Sequence, residues 1–262
     1  MVNSFNAISA AGQGGRMEFY MNQFLEDMAR GPRIIIITGH FGSGKTEVSV
    51  SLAYALASMR DSGNPNIKNV ALCDLDVENP YFRSRELTET MGEAGIRVYS
   101  DPYHGQNGSE LQTLDPAILA PVQDPDCHVI MDTGGNNTGA MILNQFRKHF
   151  GADYRMLYIA NKNRPGTDTP EKVLAEIEAI QYSTGLVMSG IISNSHFIRE
   201  TTAEDVLEGA AFANHISEIS GLPLLCSTCS ENLVDEVRKA DPTLEVFTVG
   251  MYMRQTYLDK KV

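Results

Sequence analysis

The chain has 262 residues, 42% of them hydrophobic, and a formal net charge of −12 with a pI near 4.9. That is enough apolar material for one large domain with a sizeable core, while the acidic balance excludes a nucleic-acid partner, because phosphate backbones select basic surfaces. No apolar run approaches the roughly 18 residues of a membrane span, nothing at the N-terminus resembles a secretory signal, and four cysteines (Cys73, Cys127, Cys226, Cys229) are too few for a disulfide scaffold, so a reducing cytoplasm is the expected setting.

Residues 1–31 read as a partly disordered N-terminal extension. Residues 1–16 are small and polar and end in Gly-Gln-Gly-Gly-Arg, a composition without a core of its own, and Met17 is a candidate start. Met17 to Ala29 suggest a short amphipathic helix on Phe19, Leu25 and Met28, broken by Gly31-Pro32. Residues 32–262 are expected to form a single domain.

Arg33-Ile-Ile-Ile-Ile-Thr-Gly-His-Phe-Gly-Ser-Gly-Lys45-Thr46 fits G-x-x-x-x-G-K-[ST], the phosphate-binding loop, at every specified position. Ile34 to Ile37 lack polar alternation, as a strand covered on both faces would. Gly39, Gly42 and Gly44 let the backbone approach a polyphosphate. A helix begins where the loop ends, so its amides and about half a positive elementary charge face the same point. The binding set is Gly39, Gly42, Ser43, Gly44, Lys45, Thr46 and Glu47, with Lys45 reaching the β and γ phosphates and Thr46 holding Mg²⁺.

Beyond the loop, strands and helices alternate, the pattern of a parallel sheet wrapped by right-handed crossovers. Strands are expected at Asn69–Cys73, Ile96–Tyr99, His128–Met131, Tyr154–Ala160, Leu186–Ser193 and Leu222–Leu225. Thr169-Pro170 and Thr202 with Asp205 mark two helix starts. The fold class is therefore α/β: a three-layer P-loop NTPase fold, mainly parallel, with helices on both faces. Ligands in such sheets lie beyond the carboxyl ends of the strands, and Asp74, Asp76, Asp132, Asn161 and Asn194 all follow apolar runs. Asp132, before Thr133-Gly134-Gly135, has the setting of the second acidic element, which holds Mg²⁺ directly or through water.

Gly-His-Phe-Gly-Ser-Gly-Lys-Thr, Cys-Asp-Leu-Asp-Val-Glu-Asn-Pro, Asp-Thr-Gly-Gly and Ile-Ile-Ser-Asn together resemble the MinD/ParA branch of P-loop ATPases, which includes the nitrogenase iron protein and carbon monoxide dehydrogenase maturation ATPases. The resemblance implies that Asp76 orients the attacking water on the metal side with Thr46 and Asp132, and that Asn194 contacts adenine. It also marks a departure: where the family carries a lysine that crosses to a partner's nucleotide, this chain has His40. Arg83 and Arg85 are candidate replacements as arginine fingers.

Asn161-Lys162-Asn163-Arg164 lacks the carboxylate with which GTPases read guanine, although Asp168 follows; ATP/ADP with Mg²⁺ is the expected cofactor set. Cys226-Ser-Thr-Cys229 has half-zinc-site or redox spacing, but two unligated thiols in a loop after the last strand is the plainer expectation. His104, His149, His196 and His215 match no ligand spacing. Leu244, Phe247, Met251 and Leu258 fall near helical spacing, suited to packing on the sheet better than to a membrane surface. The expected function is Mg²⁺-dependent ATP hydrolysis as a conformational switch on a client protein, with a homodimer possible. The alternatives are a small-molecule synthetase or kinase using a substrate loop at Tyr99–Glu110 (Asp101, His104, Gly108), or a nucleotide-binding regulator without turnover.

Overall fold

The structure, a computed structural model, describes residues 7–12, 15–76, 85–100 and 116–252. In chain order its strands are β1 (Ala7–Gly12), β2 (Gly15–Tyr20), β3 (Ile34–Thr38), β4 (Asn69–Leu75), β5 (Ile96–Ser100), β6 (Cys127–Thr133), β7 (Tyr154–Ala160), β8 (Met188–Ser193), β9 (Leu224–Cys229) and β10 (Val246–Thr248). The helices are α1 (Gln23–Arg30), α2 (Lys45–Asp61), α3 (Arg85–Glu93), α4 (Leu119–Gln123), α5 (Asn137–Ala140), α6 (Arg147–Phe150), α7 (Pro170–Thr184), α8 (Ala203–Ser220) and α9 (Val234–Ala240).

Strands β3 to β10 form one eight-stranded sheet in the order β10-β9-β8-β7-β3-β6-β4-β5, every neighbouring pair parallel. The apolar runs explain this arrangement: a strand covered on both faces needs no polar alternation. In β3, Ile35 and Ile37 join a core with Val50 and Leu52 of α2, while Ile34 and Ile36 join the opposite core with Val173 and Ile177 of α7. The result is a three-layer α/β fold. Since β6 and β7 flank β3, the chain leaves the central strand in both directions, which opens a crevice beyond its carboxyl end.

The caps follow their sequence signals. Thr169 Oγ1 accepts from Lys172 N at 3.4 Å with Pro170 in the first turn, and Thr202 with Asp205 makes a reciprocal capping box. Among the described residues no helix is long and apolar enough to cross a membrane.

Three expectations need correction. In the N-terminal stretch Ala7–Gly12 and Gly15–Tyr20 pair antiparallel as β1 and β2, and the helix expected from Met17 starts only after Asn22, whose side chain accepts from Leu25 N at 2.9 Å. The extension is also tied to the sheet, because Asn22 Nδ2 donates to Val246 O at 2.6 Å and the fully buried Phe19 stacks on Phe247 at 6.2 Å. Cys226 and Cys229 lie within β9 rather than in a loop after it, and β9 is followed by β10, where Phe247 was expected on a helix. Leu258 and residues 253–262 lie outside the described residues.

If residues 7–30 belong to the folding unit, Phe19→Ala should lower stability by about 3–5 kcal/mol, the usual loss for a deleted core phenylalanine. A urea midpoint equal to that of the unaltered protein would show the segment to be separable.

Candidate functional site

The loop between β3 and α2 is shaped by its glycines, with φ of 141° at Gly39, 72° at Gly42 and 90° at Gly44. At Gly44 the requirement is double, since φ is left-handed and a Cβ would lie 2.2 Å from Asn194 Nδ2. Inside the loop the His40 carbonyl accepts from Ser43 N at 3.1 Å and from Lys45 Nζ at 3.2 Å. Lys45 is only 5% exposed. Ser43 is fully buried, and its Oγ finds no partner among the described residues.

The acidic edge is assembled by strand register. Asp74 on β4 pairs with Asp132 on β6, so both side chains emerge at the carboxyl end next to the loop. Thr46 Oγ1 donates to Asp132 Oδ2 at 2.6 Å and Ser49 Oγ to Asp132 Oδ1 at 3.3 Å. Burial pushes the Asp132 carboxyl up to about 6, with the neighbouring Asp76 pushing the same way and Lys45 and the Thr46 hydroxyl pulling against it. Asp76 donates its backbone N–H to Asp74 Oδ1 at 3.0 Å, and its carboxylate faces Gly134. Thr46, Asp132 and Asp76 offer only hard oxygen donors, the chemistry that Mg²⁺ takes when it keeps waters and phosphate oxygens in its remaining positions. Among the described residues no group of three or more His, Cys, Asp or Glu could hold a metal by itself, so such a site would need the phosphates to complete it.

Asn194 takes part in contacts that its sequence setting did not announce. Its Nδ2 donates to Ser43 O at 2.7 Å, and Thr228 Oγ1 donates to its Oδ1, so the side chain clamps the loop to β8 and β9. It also lines a cavity of ≈ 380 Å³ beside the start of α2, together with Glu47, His196, Thr228, Ser230 and Asn232. Glu47 Oε2 is engaged there by Tyr252 N at 2.7 Å. Ile198 lines the same cavity at φ 62°, a conformation that strains a β-branched residue.

Sequence reasoning missed the other anchor of the loop. The His40 ring is held by Glu176 of α7, with Nδ1 2.8 Å from Oε1, and the other Glu176 oxygen accepts from the buried Tyr158 hydroxyl. Burial, followed by the Glu176 charge, drives the Tyr158 hydroxyl well above its ordinary range. The apolar spacing of α7 was legible; the task of Glu176, 136 positions from His40, was not.

The remaining candidates separate cleanly. Asp168 pairs with Lys172 at 2.6 Å at the start of α7. In β9, residues three apart point to opposite faces, so Cys226 packs with Phe247 while Cys229 packs with Val234, and the two cannot chelate together. Burial pushes the Cys226 thiol well up and the Cys229 thiol up to about 12. Arg83, Asp101, His104 and Gly108 lie outside the described residues, as do the side chain of Arg85 and all of the expected substrate loop beyond Ser100.

No protein-family model matches the chain, and no curated protein matches it. Solved structures do. The cell division protein FtsY from Thermotoga maritima is similar at 20% identity over 74% of this chain and 60% of that one, with a TM-score of 0.47. The signal recognition particle receptor FtsY from Elizabethkingia anophelis in complex with GDP is similar at 18% identity over 74% and 56%, with a TM-score of 0.44. HypB from Helicobacter pylori in complex with nickel is similar at 13% identity over 86% and 84%, with a TM-score of 0.37. The chain spans 56% and 60% of the two FtsY chains it matches.

A carboxyl whose folded pKa lies above the unfolded value of 3.8 costs stability once both states ionise. That cost is absent below pH 4, grows between pH 4 and 6, and is complete above pH 6. Asp132→Asn should therefore raise the stability of the nucleotide-free protein at pH 7.5 by about 2 kcal/mol, with the gain vanishing near pH 4. Denaturant titrations at the two pH values check it, and a gain independent of pH would refute the assigned cause.

Proposed function

We propose that this chain binds ATP with Mg²⁺ and hydrolyses it, using the difference between its ATP and ADP shapes to act on a client protein, in the manner of the MinD/ParA-like ATPases its motifs resemble. The observation that supports this most is the 2.6 Å hydrogen bond from Thr46 to Asp132 at the mouth of the glycine loop, with Lys45 buried alongside. A hydroxyl and a carboxylate brought together there form the protein's half of a magnesium triphosphate site.

In this reading the amides from Gly42 to Thr46 and the Lys45 ammonium hold the phosphate chain. To bind it, Lys45 redirects its Nζ from the His40 carbonyl toward the β and γ phosphates. Thr46 and Asp132 would hold the metal, and Mg²⁺ there would supply charge neutralisation to the phosphates. Asp76, half-buried opposite Gly134, orients the attacking water and accepts its hydrogen bond. Gly135 lies against the loop, where a Cβ on it would be 2.7 Å from Phe41 N and 2.9 Å from Lys45 Nζ, while its neighbour Gly134 packs on Gly139. That contact suits a segment that changes shape when the γ phosphate leaves.

The cavity beside α2 is the place for the base, with Asn194 in its wall. Its lining favours adenine: the one carboxylate among those residues, Glu47, already accepts from Tyr252 N, and Asp168 is paired with Lys172. Exposed apolar side chains around the site support a protein client or a second copy, since Phe41 on the loop is 60% exposed, and Phe197 and Met251 beside the cavity are 50% and 45% exposed.

Lys45→Ala should weaken ATP binding by about ten- to hundredfold, the worth of a hydrogen bond to a charged group, with an unchanged circular dichroism spectrum. Equal affinity in the variant would contradict the site. Competition between ATP and GTP for the same site tests the base, and phosphate release with and without cell extract tests whether turnover depends on a client.

A further inference from the structure

The loop that follows β7 is placed by sheet order against the phosphate loop, because β7 is the direct neighbour of β3. Residues 161–167 form a tight turn there: Arg164 N donates to Asn161 O at 3.2 Å and Thr167 N to Arg164 O at 2.9 Å. The loop carries two cations with different surroundings. Lys162 reaches away to Glu208 on α8. Arg164 turns toward the phosphate loop and lays its guanidinium on Gly42, with Cζ and Nη1 3.2 and 3.3 Å from the point a Cβ on Gly42 would occupy.

The same loop holds buried polar atoms that nothing satisfies. Asn161 is 1% exposed and Thr167 2%, and Asn161 Nδ2, Asn163 Nδ2 and Thr167 Oγ1 have no hydrogen-bond partner among the described residues. Each such group is costly to bury, and native structures keep few of them without a bound ion, water or ligand to account for them. All three can donate, as can the guanidinium beside them. A donor-rich segment pressed on a phosphate-binding loop fits an anionic ligand.

We propose that Arg164 is a second cation of the phosphate site, contributed in cis by the Asn161–Thr167 loop, and that it contacts the phosphate chain of the nucleotide bound at Gly42–Thr46. The inference rests on the nucleotide reading above. A planar fork of donors matches phosphate oxygens in pairs, and Gly42, having no side chain, leaves the guanidinium in direct contact with the loop backbone. Gly166 ties the two loops further together, since a Cβ on it would lie 2.4 Å from the His40 ring. Closure of the Arg164 loop on a nucleotide would thus press on the His40–Glu176 anchor as well.

The test measures Mg²⁺-ATP affinity, and its competition by inorganic tripolyphosphate, for the full chain, Arg164→Met, Arg164→Lys and Lys45→Ala. Arg164→Met keeps an unbranched apolar side chain at this position and removes the guanidinium, with Arg164→Gln as the second neutral variant. The expected result is that both neutral variants bind ATP and tripolyphosphate about ten- to hundredfold more weakly, show a shallower salt dependence, and keep the unliganded melting temperature, while Arg164→Lys recovers part of the loss. If the neutral variants bind like the unaltered protein while Lys45→Ala does not, Arg164 is only loop packing and the nucleotide reading survives. A loss matched by a fall in melting temperature and not relieved by lysine likewise reduces Arg164 to loop packing. If the unaltered chain binds neither ATP nor tripolyphosphate, both readings fail.

Discussion

Two charges buried at the carboxyl end of the sheet, the Lys45 ammonium and the Asp132 carboxylate, constrain everything around them. They are 5% and 1% exposed, and removing either from water without opposite charge and hydrogen bonds would cost several kcal/mol. The fold supplies compensation from three directions: the Thr46 and Ser49 hydroxyls on Asp132, the His40 carbonyl on Lys45, and the attraction between the two charges. The raised pKa of Asp132 shows that compensation to be incomplete. An edge that also holds Asp74 and Asp76 keeps an excess of negative charge on the strand side and of amide donors on the loop side, so a ligand carrying both cation and anion relieves both.

The phosphate loop does not hold its shape by glycine alone. Asn194 and Thr228 clamp its Ser43 carbonyl from β8 and β9, while Glu176 and Tyr158 clamp its His40 ring from α7 and β7. Glycine supplies permissive backbone and the clamps select one conformation from what is permitted. The second clamp belongs to a long helix, α7, whose far end is tied to Met141–Gln145 by a hydrogen bond from Asn144 Nδ2 to Ser183 O.

Much of this could be read from residues in order. Runs such as Ile34–Ile37 and Val129–Met131 announce central strands because burial on both faces removes the need for polar alternation, and Thr169-Pro170 announces a helix because the cap and the missing proline donor are local physics. What escaped depended on partners distant in sequence. The hairpin at Ala7–Tyr20 lacks a strong alternating pattern and is held in part by Phe19 against Phe247. Leu224–Cys229 looked too polar to continue as a strand after Leu225, yet Thr228 is satisfied by Ser193 O and Asn194. The placement of Cys226 and Cys229 in a loop failed for a geometric reason: as a loop the pair would converge on one point, as a strand it diverges to two cores.

The resemblance to MinD/ParA-like ATPases marked position 40 as a departure, with His40 where that family carries a lysine reaching across to a partner. The structure turns that position inward. A ring fixed by Glu176 and pressed by Gly166 has no freedom to cross to another molecule, and its contribution is to place its own carbonyl for Ser43 and Lys45. Among the described residues the guanidinium laid on Gly42 belongs to Arg164 of the same chain. His40 and Arg164 are thus joined in one structural unit, since Gly166 of the loop after β7 packs against the His40 ring while Arg164 of the same loop lies on Gly42.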